Sequence, residues 1–203
     1  MSDRTNKLYN LQLLKDLPID ENGFPVIHPI SEVPSELIGF NYCMNTRPDD
    51  RYVHFFTDDY QFERVWNNPE RYVEPLKRWG GVLSPDFSLY TDMPIPLQAF
   101  NVYRSRLIAS YLQENGINVI PTLQWSDFRS FEFAFDGLPK QSILAVSSVG
   151  CVRRKESRAL FNAGISEAIK RLEPSKILFY GHWIEFEHDG IEIIKFDSKE
   201  TNW

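Results

Sequence analysis

Two carboxylates and three Ser/Thr hydroxyls crowd into the nine residues Ser84-Pro85-Asp86-Phe87-Ser88-Leu89-Tyr90-Thr91-Asp92, immediately after the apolar run Gly81-Val82-Leu83. An aspartate on a loop fixed by a preceding proline can serve as general base, metal ligand or hydroxyl acceptor. Asp86 is therefore the first candidate catalytic residue, with Ser84 beside it as a candidate ligand contact. The structural alternative for Asp86 is an Asx-turn. Asp92 precedes Pro94, Pro96 and a long periodic stretch, so a helix cap suits it better.

Other apolar runs end in the same way. Asp58 and Asp59 follow Tyr52–Phe56, and Gln124, Trp125 and Ser126 follow Ile117–Leu123. Ser148 and Gly150 follow Ser142–Val146, and His182 follows Lys176–Tyr180. His182 is the second candidate proton-transfer residue, its alternative being an ordinary hydrogen-bonding role. Asp58, Gln124, Trp125, Ser148 and Gly150 join Ser84 as candidate binding residues, with Trp125 offering a stacking face. The plain counter-reading is that strand ends meet water and need turn residues.

The stretch Ser147-Ser148-Val149-Gly150-Cys151-Val152-Arg153-Arg154-Lys155-Glu156-Ser157-Arg158 differs in kind. Cations at a helix N-terminus oppose its dipole, and an anion held by the free N–H groups with Arg153 and Arg154 would relieve that conflict. Screening by Glu156 and solvent is the alternative. No Walker motif, GxSxG elbow, HExxH or Cys/His cluster is present, so no metal site is expected and no cofactor is indicated. Cys151 has a lowered pKa if exposed at the helix start and a packing role if buried.

The elements that must position these residues alternate. Short β-branched runs at 52–56, 82–83, 117–123, 142–146 and 176–180 interleave with helical periodicity over 59–78, 97–115 and 154–172, the first interrupted by Pro69 and Pro75. A last strand at 191–196 is expected at the edge and antiparallel. This alternation predicts an α/β fold, a mostly parallel sheet with helices on both faces, either an open three-layer sheet or an incomplete β/α barrel. Residues 1–50, with five prolines, are expected to form an irregular N-terminal arm holding one short helix near 7–15, and residues 51–203 a single domain. In either architecture the loops after the strands gather at one edge, where ligands bind.

Composition narrows the classes. A formal charge of −6 gives no blanket attraction to nucleic acid. The N-terminus lacks an apolar core and no run reaches the roughly 18 residues a membrane span needs. Two cysteines without a CxxC pair fit reduced thiols, so the expectation is a soluble cytoplasmic protein.

The stretches GVLSPDFSLYTDMPIPLQAFNVYRSR, INVIPTLQWSD and SVGC together resemble an uncharacterised domain family of about this length found in bacteria, phages and other mobile elements. The resemblance covers roughly residues 40 to 185 and brings no activity with it. It implies a mobile-element setting and a site near Asp86, Asn101, Arg104, Gln124, Trp125 and Ser148.

Three functions remain in view. One is an enzyme-like site for a small phosphorylated, nucleotide-like ligand, with Asp86 as acid–base group and Arg153 and Arg154 on the phosphate. Another is nucleic-acid binding or processing along a track of Arg104, Arg106, Arg153, Arg154 and Arg158. The third is a protein-binding module without catalysis. The ligand, the reaction and the oligomeric state are not written in the sequence.

Overall fold

A computed structural model describes residues 2–198. Among them are seven strands: β1 (Leu37–Gly39), β2 (Tyr52–His54), β3 (Gly81–Leu83), β4 (Val119–Ile120), β5 (Ile143–Ser147), β6 (Lys176–Tyr180) and β7 (Glu192–Phe196). The helices are α1 (Asp3–Leu8), α2 (Phe40–Cys43), α3 (Asp59–Asn67), α4 (Glu70–Leu76), α5 (Ile95–Glu114) and α6 (Lys155–Leu172). Neighbouring strands pair in parallel, β1 to β4 in one ladder and β5 to β7 in another. A parallel bridge between Thr122 and Ala145 joins the two ladders. There the Leu123 N–H donates to the Ala145 carbonyl and the Ala145 N–H to that of Pro121, both at 2.8 Å.

The strands thus lie side by side in the order they occur in the chain. A doubly wound sheet reverses its strand order at a switch point, whereas a singly wound barrel does not. Of the two arrangements the sequence left open, this order is that of the incomplete β/α barrel. The faces of the strands sort accordingly, with the period of two that a strand imposes. Val53, Val82, Val119, Leu144, Val146, Ile177 and Phe179 pack with helix residues such as Phe62, Leu76, Leu107 and Phe161. Tyr52, Phe56, Leu83, Ile120, Ile143, Ala145, Leu178 and Tyr180 form a second cluster that contains no helix residue. The sheet curls enough for Tyr180 on β6 to meet His54 and Phe56 of the β2 segment, with ring centroids 4.4 and 5.1 Å apart.

Two expectations need correction. β7 is parallel to β6, not antiparallel. A parallel return needs a crossover, usually helical. Here residues 181–191 cross without a helix, burying Ile184 and Phe186, with Phe186 and Trp183 against Phe179. The N-terminal arm also holds more order than its prolines suggest. It supplies β1, and its expected single helix is two pieces, α1 and a 3-10 turn over Leu11–Asp16. They part at Asn10, whose left-handed backbone and 2.7 Å bond to the Trp66 carbonyl turn the chain.

The same arm closes the end of the barrel where the strands begin. The Ile27 N–H donates to the Gly137 carbonyl at 2.9 Å, and the Ile30 N–H to the Ser142 hydroxyl at 3.0 Å. Ile30 packs on the inner cluster. The opposite end, where the strands finish, is the mouth of the incomplete barrel.

Candidate functional site

Because the strands run parallel, the loops that follow them share this mouth. The SPDFS loop after β3 divides its work. Ser84 accepts the Thr122 N–H at 2.7 Å, and the Thr122 hydroxyl donates to the Ser84 carbonyl at 2.9 Å, prolonging the β3–β4 pairing. The Ser88 N–H and hydroxyl both donate to the Asp59 carboxylate, at 3.1 and 2.8 Å. Asp86 lies between them, with no hydrogen bond or ion pair from the described residues. Its carboxyl keeps some contact with solvent but is hemmed in by protein. Burial, aided by the charge of Asp59 and opposed by that of Arg106, pushes its pKa up to about 7. The Cys151 thiol is also raised, by burial first and then by the nearby Asp86. Loops after β2, β3 and β5 therefore meet around one poised carboxyl.

The support beneath is a layer of buried polar side chains from α5. Arg106 is fully buried, and its guanidinium donates to the carbonyls of Asp136 at 2.9 Å and Ala134 at 2.7 Å. It also reaches the Gln124 side-chain oxygen at 3.3 Å. Burial lowers its pKa to about 9 against the opposing fields of Asp136, Asp86 and Asp20. Gln124 in turn donates to the Phe87 carbonyl at 2.8 Å. Arg104 pairs with Glu63 at 2.7 Å and lies 3.9 Å over the Phe87 ring. Asn101 accepts from Arg104 at 2.9 Å and donates to the Ser88 carbonyl at 2.7 Å. Asn101, Arg104 and Gln124 hold the SPDFS loop from within. The basic track imagined from Arg104 and Arg106 does not exist as a surface, since both are interior.

Trp125 donates its indole N–H to the Leu160 carbonyl at 3.0 Å and lies against Gly164 of α6. Ser148 is buried, its N–H on the Tyr180 carbonyl at 3.0 Å, while Gly150 is exposed with φ of +82°. Arg153 and Arg154 are exposed on the turn into α6, where Arg154 is the N-cap residue without a side-chain cap. Asp58 and His182 are exposed at the rim. Asp92 does not cap α5. Pro94 holds that position, and Gln98 secures the loop by donating to the carbonyls of Tyr90 and Met93.

Sequence reasoning missed His54. It alternates with Tyr52 and Phe56 and so faces the barrel interior, 5% exposed. Its Nδ1 accepts the Phe56 N–H at 3.2 Å, and burial lowers its pKa to about 4. The Tyr-x-His-x-Phe alternation was the available signal. Two surface hollows lie elsewhere, one of about 400 Å³ between α6 and residues 185–187, and one of about 490 Å³ near Asp20, Gly137 and Arg171. Neither reaches Asp86.

Fold and site together define an α/β protein of incomplete-barrel form, with a carboxylate-centred cluster where its parallel strands end. The chain belongs to the family described as Domain of unknown function (DUF4417), whose model matches residues 20–197. It is 42% identical over 183 residues to the Gene 1 protein of Mycobacterium phage L5, covering 88% of this chain and 79% of that protein. To the Gene 1 protein of Mycobacterium phage D29 it is 41% identical over 160 residues, covering 77% of this chain and 59% of that protein. The phage association implied by the motifs is thus supported. No solved structure matches the chain. Among the described residues no helix is long and apolar enough to cross a membrane.

Proposed function

We propose that the protein binds a small phosphorylated, nucleotide-like ligand at the mouth of the incomplete barrel and hydrolyses it with Asp86 as the general base. The observation that carries this reading is the Asp86 carboxyl, free of hydrogen bonds from the described residues and pushed up to about 7. A base is most effective when its pKa lies near the working pH. Ionised Asp86 takes a proton from water, the oxygen attacks phosphorus, and the bond to the leaving oxygen breaks as that oxygen gains a proton.

The phosphate is assigned to Arg153 and Arg154. They lie two and three residues after Cys151, and Cys151 lies within the field of Asp86. Exposed guanidinium groups suit phosphate geometry. A panel of ribonucleotides with release of inorganic phosphate as readout tests the activity. Asp86→Asn is expected to abolish release, and wild-type release should fall as pH drops below about 7, where the base becomes protonated. Full turnover by Asp86→Asn would remove Asp86 from the chemistry. Replacing Arg153 and Arg154 together by Gln is expected to weaken the phosphorylated ligand by roughly 1.5–3 kcal/mol per charged hydrogen bond lost.

A further inference from the structure

The barrel interior is apolar from its floor upward, with Leu83, Ile120, Ile143, Ala145 and Leu178 meeting there. His54 breaks that pattern near the mouth, stacked on Phe56 with centroids 5.5 Å apart and tilted against Tyr180 at 4.4 Å. Part of its purpose is structural. β2 ends at His54, and the ring Nδ1 accepts the Phe56 N–H just beyond it. That bond also fixes the tautomer. An Nδ1 that accepts carries no proton, so the proton of the neutral ring sits on Nε2. No acceptor for this Nε2–H is found among the described residues.

We propose that His54 is a ligand-binding residue, its Nε2–H donating to a carbonyl-type acceptor on a planar ring, such as a nucleobase, seated at the mouth beside Phe56 and Tyr180. This rests on the nucleotide-like reading above and assigns the ring end of that ligand. A neutral imidazole between aromatic rings offers a dipole and apolar surface but no charge, which suits an uncharged ring. The phosphate end has its own cations at Arg153 and Arg154. A ligand acceptor would give that N–H the partner it lacks among the described residues.

Two substitutions separate the roles of the two ring nitrogens. His54→Asn places an oxygen where Nδ1 stood and keeps an acceptor for Phe56, but it has no group at Nε2. His54→Gln does the reverse. The full chain would be titrated calorimetrically with AMP, GMP, CMP, UMP and ribose 5-phosphate, and its folding checked by thermal melting. The expected result is a nucleotide that binds wild type better than ribose 5-phosphate does. Its affinity should fall about tenfold in His54→Asn, which keeps its melting temperature, and hold in His54→Gln, which melts lower. If ribose 5-phosphate binds as well as every nucleotide, or His54→Asn binds like wild type, the ring assignment is overturned and the phosphate reading stands. If wild type binds none of the five, both fall together.

Discussion

Asp86 and His54 are both uncharged between about pH 4 and about pH 7, and burial drives each of them there from the opposite side. Their effects on stability oppose each other. The folded chain holds the Asp86 proton more tightly than the unfolded chain, so that contribution is complete below the ordinary carboxyl value and is lost as pH rises through about 7. The folded chain resists charging His54, so that contribution is present above the ordinary imidazole value and is lost as pH falls toward about 4. Asp86→Asn removes the first effect alone. Allowing for the solvent that still reaches the carboxyl, the variant should gain on the order of 2 kcal/mol over wild type at about pH 8 and close to nothing at about pH 4. Urea unfolding at the two pH values checks this, and an equal loss at both would mean that Asp86 serves the fold. A residue whose removal stabilises the chain while abolishing function is the mark of a strained active site.

Among the elements, α6 carries the clearest contact to test. The Trp125 ring from the loop after β4 lies against Gly164, where a Cβ would collide with the indole. Alanine favours an exposed helix interior by about 1 kcal/mol over glycine, so Gly164→Ala would stabilise an unopposed helix. The expected result here is a lower melting temperature, because the indole must give way and its bond to Leu160 with it. β6, α5 and α6 were legible within a residue or two, since long periodic runs between clear stops leave little choice. β1 was not, because three residues among prolines carry no period. The direction of β7 was hidden because its crossover has no helix, and a short connection normally signals a hairpin. Asp86 was legible from its place after an apolar run. Asn101 and Arg104 were singled out only through the family resemblance and Gln124 as a strand-end residue, and none as an internal support, because nothing in a single chain shows that Phe87 and Ser88 fold back onto α5. His54 escaped because a histidine inside an apolar strand reads as part of that strand.

For the whole molecule, the arm is bonded to the body well beyond its own length of chain. The Gly137 N–H donates to the Asp20 carboxylate at 2.9 Å, and the family match begins at that same residue. A chain starting at residue 51 lacks β1, Ile27 and the Ile30 contact, and exposes one edge of β2. It is expected to lose cooperative unfolding by circular dichroism. A sharp transition near that of the full chain would show that the arm is dispensable. Strand order has a further consequence, for synthesis. Each strand pairs with the one made just before it, so a chain emerging from the ribosome can add its units one at a time with little waiting. The exception is the arm. Asp20 and Ile30 are translated before the strands, but their partners at Gly137 and Ser142 come more than a hundred residues later. The arm is thus made before the strands yet tied down late, and it seals the barrel floor once β5 has been made.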